Sequence, residues 1–150
     1  MSDNVALQLL LVEDNLGDVR LTFEAFRDAN KSVCLHVAAD GVEAMEFLER
    51  RGEHADAPRP DLILLDLNLP KMDGREVLAR IKGDHSLKLI PTLILTTSEA
   101  TVDIMTGYQL QANCYLNKPV QFDAFESLVR SINDFWLTKA KLPHLKVREV

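Results

Sequence analysis

The sequence predicts an open, parallel α/β sheet with helices on both faces. Three observations point to it. Short apolar runs alternate with longer stretches of helical period, the pattern of successive strand–helix units. One run, Leu62 to Leu65, is apolar without interruption, as a central strand covered on both faces requires. Polar residues then stand at the carboxyl ends of three runs: Glu13 and Asp14 after LLLV, Asp66 after LILL, and Lys118-Pro119 after CYLN.

Five strand–helix pairs can be read in order. The first strand, about Leu7 to Val12, leads into a helix whose Leu16, Val19, Phe23 and Phe26 keep a spacing of three to four, with Asn15 as its cap and Asp18 three residues on. A second strand near Val33 to Ala38 puts Val33, Leu35 and Val37 on one face. Asp40 then starts a helix through Val42, Met45 and Leu48, which Gly52 can end. The stretch Glu53 to Pro60 has two prolines and no apolar period, so it reads as a loop. After the third strand, Val77, Leu78 and Ile81 mark a third helix. Pro91 precedes the fourth strand, Thr92 to Thr96. The fourth helix, roughly Glu99 to Leu110, contains the poor helix formers Thr101, Thr106 and Gly107, so tertiary packing must hold it. The last helix is the clearest: Phe125, Leu128, Val129, Ile132, Phe135 and Trp136 follow helical spacing to about Leu137, and Pro143 bars continuation.

In an open parallel sheet, ligands bind beyond the carboxyl ends of the strands, so Glu13, Asp14, Asp66 and Lys118 would converge there. Crowded carboxylates repel by about 4 kcal/mol per pair at 4 Å and an effective dielectric near 20, which makes a divalent cation their natural partner. An all-oxygen ligand set favours magnesium.

The segment DLNLPKMDG, Asp66 to Gly74, makes a resemblance specific. With VED at Val12 to Asp14, PTLILTTS at Pro91 to Ser98 and CYLNKP at Cys114 to Pro119, the chain resembles the receiver domain of two-component response regulators, over about Leu7 to Leu137. LNLPKMDGREVLARIK, the helix ending INDFWL and the following LP resemble, within that family, the small stand-alone regulators paired with cyanobacterial-type phytochromes. The resemblance implies a flavodoxin-like doubly wound five-stranded sheet of order 2-1-3-4-5 with five helices. It also implies a single receiver domain with a core of about 7–137 and a tail of 138–150.

By the same resemblance Asp66 is the nucleophile and phosphoacceptor. Magnesium would be bound by Asp14, Asp66 and the backbone carbonyl of Asn68, with Glu13, where many receivers have a second Asp, helping through water. Lys118 would hold a phosphoryl oxygen, before a Lys118–Pro119 bond that is commonly cis in receivers. Thr96 holds the place of the hydroxyl that senses the phosphate, with Thr97 after it where many receivers have Ala. Tyr115 holds that of the aromatic that turns with it. The chain would be a switch that catalyses its own phosphotransfer, with autodephosphorylation open to it, rather than a conventional enzyme. Its partner would be a sensor histidine kinase of phytochrome type. Simpler readings stand beside these: Asp14 as a helix cap, Tyr115 as packing, Asp73-Gly74 as turn chemistry.

Composition bounds the alternatives. The 150 residues suit one domain, and a net charge of -6 with 47% hydrophobic residues describes a soluble acidic protein and argues against non-specific nucleic-acid binding. Lys139, Lys141, Lys146 and Arg148 read as a solvated tail. No stretch reads as a secretory signal or a membrane span, so the cytoplasm is the expected compartment. Cys34 and Cys114 fall on opposite edge strands of the receiver topology and read as two buried thiols. His36, His54, His85 and His144 lack zinc-ligand spacing. There is no Gly-rich phosphate loop after the first strand, and residues 138–150 are too few for a DNA-binding module. The rival from another class is an aspartyl-phosphate phosphatase of the haloacid dehalogenase type. Its general-acid position is occupied here by Asn68, which cannot donate a proton in that way. Finally, Phe122, Phe125, Phe135 and Trp136 on more than one side of the last helix suggest a homodimer through the fourth helix, fifth strand and last helix.

Overall fold

A computed structural model describes residues 6–30 and 32–143. Five strands, β1 (Leu7–Val12), β2 (Val33–Ala38), β3 (Leu62–Leu65), β4 (Thr92–Thr96) and β5 (Cys114–Asn117), form one parallel sheet of order β2-β1-β3-β4-β5. They alternate with α1 (Leu16–Ala29), α2 (Gly41–Glu49), α3 (Gly74–Gly83), α4 (Thr101–Gln109) and α5 (Phe122–Asp134). The predicted flavodoxin-like topology is the observed one.

Side chains alternate across each strand, and this parity sorts the core into two layers. Leu9 and Leu11 of β1, Leu62 and Leu64 of β3, and Leu93 and Leu95 of β4 pack with Ala25 and Phe26 of α1 and with Phe125, Val129 and Ile132 of α5. Leu10 and Val12, Ile63 and Leu65, and Ile94 pack on the other face with Met45 and Leu48 of α2 and with Val77, Leu78 and Ile81 of α3. On β5, Cys114 and Leu116 belong to the first layer and Tyr115 to the second. The register pairs Val12 with Leu65 and Leu65 with Ile94, so the strands end nearly level at one edge.

The helix caps follow the sequence. Asn15 and Asp40 each accept a hydrogen bond from the backbone N–H three residues on, at Asp18 and Glu43, satisfying an otherwise orphaned donor. Several expectations are corrected. Leu16 and Phe23 are exposed, because α1 turns Val19, Thr22, Ala25 and Phe26 towards the sheet instead; the Thr22 hydroxyl is buried at no cost, since it donates to the Asp18 carbonyl. Val42 likewise lies outside the core. α2 ends not at Gly52 but at Arg50, which takes the left-handed conformation (φ 57°) while the next N–H, of Arg51, bonds back to the Glu46 carbonyl. The loop before β3 contains one short 3-10 turn, Gly52–His54, and α4 begins at Thr101 rather than Glu99. Beyond α5 the chain widens into a π turn, Phe135–Lys139, that keeps Trp136 against the layer facing α1 and α5 and leaves Phe135 exposed. His144, Lys146 and Arg148 lie outside the described residues.

The two cysteines do stand on opposite edge strands, but only one is sheltered: Cys34 is exposed on β2 and Cys114 half-buried on β5. Burial pushes the Cys114 thiol above its ordinary range, so its reactive thiolate is scarcer. Iodoacetamide at mildly alkaline pH should therefore label Cys34 well ahead of Cys114 in the native protein, read by intact mass and peptide mapping. Equal rates would contradict this placement.

Candidate functional site

The site sits at the carboxyl edge of β1, β3, β4 and β5. Backbone bonds carry the ladder one step past the strands: Glu13 donates to Ala38, Asp66 to Val12, and Lys118 to Thr96. By parity Glu13, Asp66 and Lys118 each continue the rows that face α1 and α5, so their side chains emerge on one side. Thr96 continues the row of Ile94, on the other.

Glu13, Asp14 and Asp66 come together with one oxygen from each within 4.8 Å of the others. Glu13 and Asp66 are buried; Asp14 is exposed and makes no hydrogen bond or ion pair with the described residues. Lys118, itself buried, reaches in with its Nζ 2.5 Å from Glu13, 3.0 Å from Asp18 and 3.7 Å from Asp66. Its bond to Pro119 is trans, against the expectation from receivers, and the lysine points inward all the same. Burial pushes the Glu13 carboxyl above its ordinary range against the opposing pull of Lys118. Burial works the other way on Lys118, but its bonds to Glu13 and Asp18, with the charge of Asp66, outweigh it and raise the ammonium's pKa. The lysine is thus held as a cation. A set of oxygen ligands with a surplus of negative charge suits a hard divalent ion, so the donors present fit the expected metal.

Thr96 is wholly buried, and its Oγ1 has no hydrogen-bond partner among the described residues. Such an orphaned hydroxyl needs explanation, and a hydroxyl poised for an incoming oxygen supplies one. Tyr115 is half-buried and donates to the Ser98 carbonyl at 2.9 Å. Asn68 is exposed, with its N–H 3.3 Å from an Asp66 oxygen.

Sequence reasoning missed two features. Asp18, read only as a first-turn acid of α1, is a partner of Lys118. Arg75 and Asp103 form a bridge from α3 to α4: Arg75 donates to Asp103 at 2.7 Å, and the Ser98 hydroxyl donates to the same carboxylate at 2.6 Å. These two bonds, Ser98 first, hold the Asp103 carboxyl below its ordinary range. Nothing in the local pattern signals either contact, since one depends on how α1 lies against the end of β5 and the other on how α3 and α4 pack.

Asp73 and Gly74 prove to be more than turn chemistry. Asp73 caps α3 by accepting from the Arg75 N–H. Gly74 lies so close beneath the chain leaving β3 that a Cβ there would meet the Asp66 carbonyl oxygen at 2.3 Å and the Leu67 Cα at 2.6 Å. Gly41 clasps the same loop from α2, where a Cβ would lie 2.1 Å from the Met72 carbonyl oxygen. Lys71 between them is held in the left-handed region (φ 67°).

The family model of the response regulator receiver domain matches residues 9–130. The chain is 46% identical over 145 residues to the response regulator Rcp1 of Synechocystis sp., across 95% of this chain and 99% of that protein. The crystal structure of the phosphorylated cyanobacterial phytochrome response regulator RcpA superposes with a TM-score of 0.89 at 48% identity, covering 92% of this chain and 99% of that one. The Mn(2+)-bound form of Rcp1 superposes with a TM-score of 0.88 at 46% identity, covering 91% and 99%.

The glycine contacts give a direct check. Gly74→Ala should destabilise the fold by about 1–3 kcal/mol, the usual range for overpacking against immovable neighbours, because the obstructing atoms are backbone. Urea unfolding measures it, and an unchanged midpoint would show that the loop after Asp66 is not clamped there.

Proposed function

The chain belongs to the response regulator receiver family, and on that premise we propose that it is a phospho-accepting switch whose acceptor is Asp66. The observation that carries this reading is the meeting of Asp66 with Lys118 and with the carboxylates of Glu13 and Asp14 at the sheet's carboxyl edge. An oxygen of Asp66 attacks the phosphorus of a phosphohistidine; the P–O bond forms as the P–N bond of the donor breaks. Lys118, held charged, is placed to take one phosphoryl oxygen. The orphaned Thr96 hydroxyl is suited to take another, and Tyr115, bonded to the segment just after it, is the group whose surroundings then change.

Glu13, Asp14 and Asp66, with the Asn68 carbonyl, would hold a divalent cation, magnesium in our reading. When bound, it would offset the repulsion between a carboxylate and an anionic phosphoryl group. That a solved relative, Rcp1, has an Mn(2+)-bound form supports a divalent ion. The haloacid dehalogenase alternative finds no support: the chain matches the receiver family, and Asn68 stands where such enzymes keep an acid.

The donor in this proposal is a sensor histidine kinase of phytochrome type, supported by the likeness to RcpA, a cyanobacterial phytochrome response regulator. We take residues 1–150 as one receiver unit, with a core of about 7–137 and a tail of 138–150, acting in the cytoplasm and without nucleic acid. No helix among the described residues is long and apolar enough to cross a membrane. The protein does not act on a separate substrate. It catalyses phosphotransfer to itself, and hydrolysis of its own acyl phosphate would end the signal.

Asp66→Asn preserves shape and removes the charged nucleophile. With a small phosphodonor and magnesium, this variant should lose the alkali-labile phosphoryl group that wild type acquires, read on phosphate-affinity gels. Undiminished acyl phosphate would place the acceptor elsewhere.

We further propose a homodimer through α4, β5 and α5. The expected aromatic patch is redrawn in part: Phe125 is buried and Trp136 packs inward, while Phe122 stays exposed beside a groove against α1. What α4 exposes instead is the stripe Val102, Met105 and Tyr108, spaced by three, and the α5 end adds Phe135. Sedimentation at micromolar concentration, with and without phosphodonor, should show a dimer that Met105→Glu weakens. A strict monomer in both states would remove the dimer.

A further inference from the structure

We propose that Asp18 is a positioning residue that holds Lys118 in place when Glu13 turns from the lysine to the divalent cation. The inference rests on the function above, in which Glu13, Asp14 and Asp66 receive that cation.

The geometry sets up a conflict at Glu13. One of its carboxylate oxygens accepts from Lys118 Nζ at 2.5 Å, and the other accepts from the Asn15 N–H at 3.1 Å. Both oxygens are committed, yet Glu13 is one of the three residues whose oxygens cluster for a cation. A divalent ion therefore competes with Lys118 for Glu13, and it draws on Asp66, the lysine's more distant partner, as well. Lys118 would then lose both, and with a side chain only 5% exposed it cannot turn to water instead. A buried ammonium stripped of its counter-charge is strongly disfavoured.

Asp18 resolves the conflict. Among the described residues it is the one carboxylate paired with Lys118 that does not belong to the cation cluster, at 3.0 Å from Nζ. It is also rigidly mounted. Its N–H is held by the Asn15 side chain at 2.9 Å and its carbonyl by the Thr22 hydroxyl at 2.7 Å, in the first turn of a helix where negative charge is favoured. Glu13, on a longer arm, can swing between lysine and cation; Asp18 stays. The lysine keeps its charge and direction in both states, ready for a phosphoryl oxygen.

The test measures binding of Mn2+ alone, by calorimetry, to four proteins: wild type, Asp18→Asn, Lys118→Met and the double variant. If Asp18 acts through Lys118, Asp18→Asn should weaken Mn2+ about tenfold in the wild-type background and less than about twofold in the Lys118→Met background. A mere field effect of a lost negative charge would weaken Mn2+ equally in both backgrounds, and that result overturns the proposal. So does no weakening in either. Asp18→Ser repeats the cycle should the asparagine variant fold poorly, with circular dichroism as the check. The underlying reading is tested separately: if wild-type Mn2+ binding is absent or survives Asp66→Asn, the cation site itself is wrong. Loss on Asp66→Asn with equal effects of Asp18→Asn in both backgrounds rejects the clamp alone.

Discussion

The buried ammonium of Lys118 is the interaction on which the site depends. Three carboxylates, Glu13, Asp18 and Asp66, gather about it, a fourth, Asp14, clusters with Glu13 and Asp66, and each carboxylate pair at contact distance repels by about 4 kcal/mol at an effective dielectric near 20. One positive charge cannot balance four negative ones. A pocket with that surplus, supported by a rigid hydrophobic layer, calls for further positive charge, and the ladder bonds of Glu13, Asp66 and Lys118 keep the groups from drifting apart to relieve it. Affinity for a cation is thus a consequence of strand register as much as of residue type.

Parity divides the site into two halves with different work. Glu13, Asp66 and Lys118 follow the rows that face α1 and α5, and there α1 supplies Asp18. Thr96 and Tyr115 follow the rows on the other face, towards α3 and α4. A phosphoryl group on Asp66 would stand between them, bonded to the charged half and within the domain of the hydroxyl half. The Arg75–Asp103–Ser98 bridge ties the second half to both neighbouring helices, so a change at Thr96 has a connected path to α4.

Much of this was legible in the sequence because it depends on neighbours along the chain. Strand ends, the Asn15 and Asp40 caps and the continuous run of β3 are local, and they are enough to put Glu13, Asp14, Asp66 and Lys118 at one edge. The motif resemblance added Thr96 and Tyr115. What failed was set between elements. Helical spacing alone could not say that α1 rotates Phe23 out and Thr22 in, because the burial of a threonine depends on its hydroxyl finding the Asp18 carbonyl. Cys34 looked like a core thiol because sequence does not reveal how far along an edge strand the covering helix reaches: His36 meets Phe47 of α2, while Cys34, two residues earlier on the same face, is exposed. Asp18 was hidden for the opposite reason: a first-turn acid has a sufficient local explanation, and nothing announces that the β5 end lies against it.

Stiffness is distributed unequally between the receiving and the transmitting sides. The loop after Asp66 is clasped by Gly41 and Gly74 at contacts that admit no Cβ, and α3 beyond it is capped by Asp73 and buries Val77, Leu78 and Ile81. Helix α4 lacks a side-chain cap and buries only Gly107, whose missing side chain lets the Tyr115 ring and Ile94 approach. Elements with few buried apolar contacts open at lower free energy than the core. On the proposed function, a fixed Asp66 beside a less tightly packed helix would direct the response to phosphorylation across Tyr115 and into α4. The same weak packing leaves Val102, Met105 and Tyr108 facing outward. The helix with a single buried residue is therefore also the one that, on the proposed dimer, would present its apolar surface to a partner.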